Sequence, residues 1–432
     1  MATTNAWFVD PQVHDAKAMR GAGADRLSLA LIDARKRTLD WLAVFDGVVL
    51  QANLEIEPPL WLVGHAGWFQ EWWIARHVQR GRGAAADAAS PRLSSIDPRA
   101  DQRYDAAAER RAERWVECAG AAIGTGAAAC AALRDYLSAT LDTTLDLLHK
   151  AADGDDALWV YRLALHHEDR LGEALAEAAA LLDLPPERHA LATERGLWPA
   201  LPSHGRRDAL ALPGQRWQLG SAPGGWVPSA ERQGPLVDVP AFEIDAQPVC
   251  WAQFAEFAHD GGYDDRRHWT DAGWAWLHAS ARRAPRHVAQ LVGGVLAQRQ
   301  GRLQRLPGAQ VALHLSAHEA QAWCHWAGRR LPTEAEWELA ACTASARGWV
   351  WGEVLEWVAG RARPLGGAPV GAAGQTWLGG PGSGYELAPQ AGDRVLRGGS
   401  AFASARLRHA RARRYADAAA DLHFSGFRSC AC

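Results

Sequence analysis

From about residue 25 to residue 190, apolar residues recur at helical spacing in four successive runs, with charges on the opposite faces. The runs are "DRLSLALIDARKRTLDWLAVF", "PPLWLVGHAGWFQEWWIARHVQR", "AALRDYLSATLDTTLDLLHKA" and "DALWVYRLALHHEDRLGEALAEAAALLDL". The segment "RGRGAAADAASPRLSSIDPRAD" has no such period and reads as a loop between the second and third. Four long amphipathic helices with these connections predict a helical bundle over residues 25–190. The texture then changes. Residues 191–215 are rich in Pro and break the period, as a linker does, and residues 216–432 carry many Gly, Pro and Trp residues and short apolar runs. That half reads as an irregular α+β domain. Its clearest helices are two short ones, "SAHEAQAWCHWAG" and "RLPTEAEWELAAC", the second opened by Pro-Thr-Glu.

Charge and cysteine content narrow the function classes. With 46 basic against 49 acidic residues the net charge is −3, so neither nucleic acid nor an anionic membrane is an expected partner. The start lacks the basic and apolar regions of a signal peptide, and no apolar run approaches the roughly 18 residues of a spanning helix. The 7 cysteines are scattered, and the close pair, Cys430 and Cys432, lacks zinc-ribbon spacing. A cytoplasmic, reduced protein is expected. The 22 tryptophans admit two readings: Trp-rich packing, or aromatic walls around a cationic or flat ligand.

The stretch "LALHHEDRLGEAL" (163–175) carries two adjacent histidines and four charges inside a helical pattern. Adjacent histidines point roughly 100° apart, so one of His166 and His167 faces the core. His65 lies on the second helix, beside Trp68 and Trp72. A pair of core histidines satisfied by neighbours and a metal site built from facing helices are both open on these residues alone.

The second-helix motif "GHAGWFQEWW" resembles the G-H-x-x-W-F-E-E-W stretch of the ergothioneine-type sulfoxide synthases, and "HEDRLGE" (His167–Glu173) overlays their H-E-x-x-H-x-E. The resemblance implies a DinB-like four-helix bundle binding Fe(II), with His65 and His167 as ligands. The third ligand of that family stands here as Leu171, and Arg170 replaces a glutamine near the substrate imidazole. The missing ligand leaves Glu168, Glu173, a water or the substrate imidazole as candidates. Glu173, six residues past His167, lies roughly 240° round the helix and cannot simply take the vacated corner.

In the second half, "FEIDAQPVCWAQFAEFAHDGGYDDRRHWTDAGWAWL" (242–277), "LSAHEAQAWCHWAGRRLPTEAEWELAA" (315–341), "GEVLEWV" (352–358), "VLRGGS" (395–400) and "FSGFR" (424–428) resemble the formylglycine-generating-enzyme-like domain, a variant of the C-type lectin fold. Trp337 and Trp357 are read as core. The basic run "RLRHARARRY" (406–415) is ordinarily a solvated face. By the resemblance, however, its end, Arg413, Arg414 and Tyr415, lies at the active site and contacts substrates, Arg being suited to carboxylates. Tyr385 is the candidate catalytic tyrosine. The implied reaction is Fe(II)- and O2-dependent bond formation between a chalcogen and the imidazole carbon of hercynine (Nα-trimethylhistidine). The departures at Leu171, Arg170 and Arg414 favour the selenoneine-synthase branch, whose donor is a selenosugar. The rivals are an ordinary sulfoxide synthase using cysteine or γ-glutamylcysteine and a non-catalytic binding protein that has lost its iron.

Overall fold

The computed structural model describes residues 10–87, 90–119, 127–366 and 389–432; Tyr385 lies outside the described residues. Four long helices, α1 (Ala24–Phe45), α2 (Pro59–Gln70), α3 (Ala127–His149) and α4 (Asp155–Leu181), pack side by side in the N-terminal half. In α1 the buried residues Leu27, Leu31, Ala34, Trp41 and Phe45 follow the helical period. Helix α2 is buried at every position, which is why its sequence is apolar nearly all round. Pro59 opens it, where the missing N–H costs no helical bond. The glycines flanking His65 exist for close approach: a Cβ on Gly64 would lie 2.1 Å from the Tyr104 ring, and one on Gly67 would lie 2.9 Å from Tyr136.

A single buried guanidinium joins all four helices. Arg35 on α1 donates to Gln70 on α2 (3.1 Å), to Thr140 on α3 (3.1 Å) and to both oxygens of Glu168 on α4 (2.7 and 3.2 Å). Thr38, one turn along α1, also donates to Glu168 (2.8 Å).

A helix continues to Glu194 and the first strand begins at Leu210, so the expected linker 191–215 takes in the edges of both halves. The second half has two four-stranded sheets. One orders β1 (Leu210–Leu212), β2 (Phe242–Ile244), β8 (Cys430–Ala431) and β3 (Arg329–Arg330) across the sheet. The other orders β6 (Arg413–Ala416), β5 (Arg394–Gly398), β4 (Leu355–Trp357) and β7 (Ser425–Phe427), with only β4 and β7 parallel. Smaller hairpins pair 215–218 with 236–239 and join the three strands between 288 and 305. The two short helices predicted from sequence are α5 (Ala317–Trp326) and α6 (Glu334–Thr343), opened by reciprocal caps between Ser316 and Glu319 and between Thr333 and Glu336. Trp337 and Trp357 are fully buried, as read. Among the described residues no helix is long and apolar enough to cross a membrane.

The halves share one apolar core, which runs from Trp41, Trp61 and Trp68 to Trp251, Trp323 and Phe427. Buried polar ties cross the same boundary. Arg406 donates from two nitrogens to both oxygens of Asp169 on α4 (2.7 Å each) and from a third to Asp33 on α1 (2.8 Å). The basic run is therefore no solvated face at Arg406. Removing one partner of a buried pair strands the other, so Arg406→Ala is expected to cost about 3–5 kcal/mol. Thermal or denaturant unfolding of the full chain checks this.

Candidate functional site

Helices α2 and α4 bring His65 and His167 together, with ring centroids 5.1 Å apart at a 60° interplanar angle. Both side chains are buried. The His65 ring is packed between Trp61 (4.7 Å) and Trp68 (5.3 Å), and its Nδ1 lies 2.7 Å from the carbonyl oxygen of Tyr104. A carbonyl only accepts, so Nδ1 carries the proton and Nε2 keeps its lone pair, the tautomer a metal-binding imidazole needs. His167 lies flat on Phe69, at 3.6 Å and 12°. Burial, with the charge of nearby Arg170, holds its pKa well below the ordinary histidine range, so the ring is neutral. His166 faces away from this pair, against Trp226 of the second half at 4.7 Å.

The three carboxylates of "HEDRLGE" each have separate partners. Glu168 is bound by Arg35 and Thr38, Asp169 by Arg406, and Glu173 by Ser400 (2.6 Å) and Arg414. Burial opposes ionisation of Glu173, but Arg414, Ser400 and Arg170 outweigh it and hold its carboxyl below the ordinary range. Neither Glu168 nor Glu173 is thus available as a third ligand without breaking an ion pair. Leu171 is fully buried, and among the described residues no group of three His, Cys, Asp or Glu side chains could hold a metal. Two neutral imidazoles at this spacing nevertheless fit one ion with the usual ~2 Å metal–nitrogen bonds, its other positions going to water or substrate.

The strand β6 separates the three residues expected to act together. Side chains alternate across a strand, so Arg414 reaches Glu173 on α4 while Arg413 and Tyr415 point to the other face. There Arg413 donates to both oxygens of Glu334 (2.6 and 2.8 Å) and to the Tyr415 hydroxyl. Arg170 lies close enough for its charge to act on His166, His167 and Glu173.

Residues that the sequence did not single out line a cavity of about 570 Å³ between the halves. It touches Leu62, one turn before His65, and Ala174, two turns past His167. Its three arginines, Arg111, Arg282 and Arg286, are bound to Glu57, Asp421 and Glu55 at 2.6–2.9 Å. With Glu177 and Asp417 also in the wall, carboxylates outnumber guanidiniums, and Trp276 adds an aromatic face. His423 completes the wall, its Nδ1 2.9 Å from Glu177. The lining comes from segments far apart in the chain, so no single run of sequence marks it.

Residues 204–373 match the sulfatase-modifying factor enzyme 1-like domain. Over 365 residues the chain is 32% identical to a hercynine oxygenase of Mycolicibacterium smegmatis, covering 81% of this chain and 78% of that one. It is 31% identical to those of Mycolicibacterium thermoresistibile (80% and 75% covered) and Mycobacterium tuberculosis (76% and 73% covered). The chain belongs to the hercynine oxygenase family.

Two outcomes follow from this geometry. Equilibrium dialysis with Fe(II) or Co(II) is expected to show stoichiometric binding that His65→Ala or His167→Ala abolishes. Leu171→His, which restores an imidazole one turn from His167, should tighten binding by about tenfold or more. Separately, burial works against protonation of His423, yet Glu177 outweighs it and raises the pKa. The pair's stabilisation is therefore full below the unfolded value of roughly 6.5 and is lost as pH rises through the folded value. The gap in Tm between the parent and His423→Gln should shrink as pH is raised from about 6 to 9.

Proposed function

We propose that this chain is an oxygen-dependent oxidoreductase that joins a chalcogen to the imidazole carbon of hercynine, with a selenosugar as donor. His65 and His167 would hold Fe(II), and when bound the ion supplies oxygen activation. The chain's own residues then have defined tasks. Tyr104 fixes the His65 tautomer through its carbonyl, Phe69 holds the plane of His167, and the tryptophans beside His65 exclude bulk water. Trp276 and the surplus carboxylates of the inter-half cavity suit the trimethylammonium group of hercynine. Arg170 and Arg414, whose charges meet at Glu173, remain the candidate substrate-positioning arginines, and Arg413, Tyr415 and Tyr385 the remaining members of the expected set.

The observation that carries the donor reading is the state of the arginines. Arg414 is closed onto Glu173, and the three cavity arginines are each closed onto a carboxylate. A thiol donor such as cysteine or γ-glutamylcysteine brings carboxylates that would have to displace these pairs against a surplus of negative charge. A neutral polyhydroxyl donor meets acceptors instead. The relatives' name and the family resemblance support hercynine as the other substrate.

A competition tests the reading. The purified chain with Fe(II), air and hercynine is offered equal amounts of a selenosugar, cysteine and γ-glutamylcysteine, and products are identified by mass. A selenium adduct of hercynine is expected. A sulfur adduct alone would overturn the donor assignment, and no adduct from a chain that binds no iron would make it a binding protein.

A further inference from the structure

A second cavity, of about 340 Å³, lies on the other side of the segment 422–424 from the one just described. His423 faces the first cavity and Phe424 the second. The lining also includes Ala180, thirteen residues past His167 on α4 and so roughly 20 Å along the helix from the proposed metal centre. Its volume falls within the range of small-molecule sites.

Three histidines line it: His189, His287 and His314. His314 is 5% exposed and its Nδ1 has no hydrogen-bond partner among the described residues; the same holds for Nε2 of His287 and both ring nitrogens of His189. The His287 and His314 rings meet edge-on at 5.0 Å, and both residues sit at positive φ (67° and 59°). That backbone region is unfavourable for side chains larger than glycine and persists only where the surroundings enforce it. Burial, with neighbouring charges, holds both rings neutral, His287 at about 4 and His314 well below the ordinary histidine range.

Two arginines, Arg299 and Arg305, are in the lining, and Arg299 is the one whose charge reaches the imidazoles. Its guanidinium lines the cavity, acts on both rings, and forms no ion pair or side-chain hydrogen bond among the described residues. Burial alone lowers its pKa to about 10, with no carboxylate to restore it. The acid in the lining, Asp183, is already engaged by Gln298 and the Gly301 N–H (2.8 Å each). An unmatched cation beside the imidazoles disfavours a metal ion here and favours an anion. The walls select its shape. Phe402 and Phe424 stack at 3.8 Å and 16°, and Trp198 stands edge-on to Phe402 at 4.9 Å.

We propose that this cavity binds a small planar monoanion, an aromatic or heteroaromatic carboxylate, with Arg299 and the His314 and His287 rings on the carboxylate and Trp198, Phe402 and Phe424 around the ring. The site is separate from the hercynine reaction and stands whether or not that reading holds.

The probe is benzoate, with benzyl alcohol and benzylamine as neutral and cationic controls, titrated calorimetrically into the full chain. Benzoate is expected to bind and the controls not. Arg299→Met should weaken benzoate binding by about tenfold or more, the size of a lost charge-assisted hydrogen bond. Because it removes a half-buried charge with no carboxylate partner among the described residues, Tm should hold or rise, which separates lost binding from lost folding. His167→Ala should leave binding unchanged. No benzoate binding at millimolar concentration, equal binding of benzoate and benzyl alcohol, or binding lost with His167→Ala but kept in Arg299→Met would each overturn the proposal.

Discussion

Arg35 fixes how the four long helices sit against one another. A buried guanidinium, 1% exposed, must have its donors met or the desolvation cost of several kcal/mol stands uncompensated. It meets them on α2, α3 and α4 together, and its two-nitrogen grip on Glu168 fixes α4 in rotation as well as position. His167 is the residue before Glu168. Once Glu168 is turned to α1, the next side chain back, roughly 100° round the helix, is turned to α2 and His65. Replacing the pair by hydrophobic residues could preserve stability and would lose this setting of angle.

The same helix joins the halves. Successive polar residues of α4 point to different partners: Glu168 into the bundle, Asp169 to Arg406, Glu173 to Ser400 and Arg414. Each is a directional contact inside a continuous apolar core that by itself would tolerate sliding. The proposed metal centre and the inter-half cavity thus share one rigid element, and their relative placement does not rely on a loop.

Much of this was legible before the structure. The helical period of residues 25–190, the Pro-Thr-Glu start of α6, and the pairing of His65 with His167 follow from local pattern and from motif resemblance. The strand β6 was legible only in part. "RRY" names three residues, but the period-2 alternation of a strand divides them between two faces, and no run of sequence says which face meets α4. The two cavities were not legible at all, because their walls come from segments hundreds of residues apart, such as Leu62 with His423 and His189 with Phe424.

By itself the sequence determined the two-part architecture, the balance of charge, and which residue types are available near His65 and His167, including the leucine where a third ligand is expected. Those are properties of spacing and composition, and they survive any packing. Only the tertiary structure decided what each charge is for. An arginine is a substrate clamp, an interdomain tie or an unmatched cation according to whether a carboxylate lies within hydrogen-bonding distance. Glu173 closes Arg414, Asp169 closes Arg406, and no described acid closes Arg299. That distinction rests on distances of a few ångströms in a low-dielectric interior, which residue order alone does not encode.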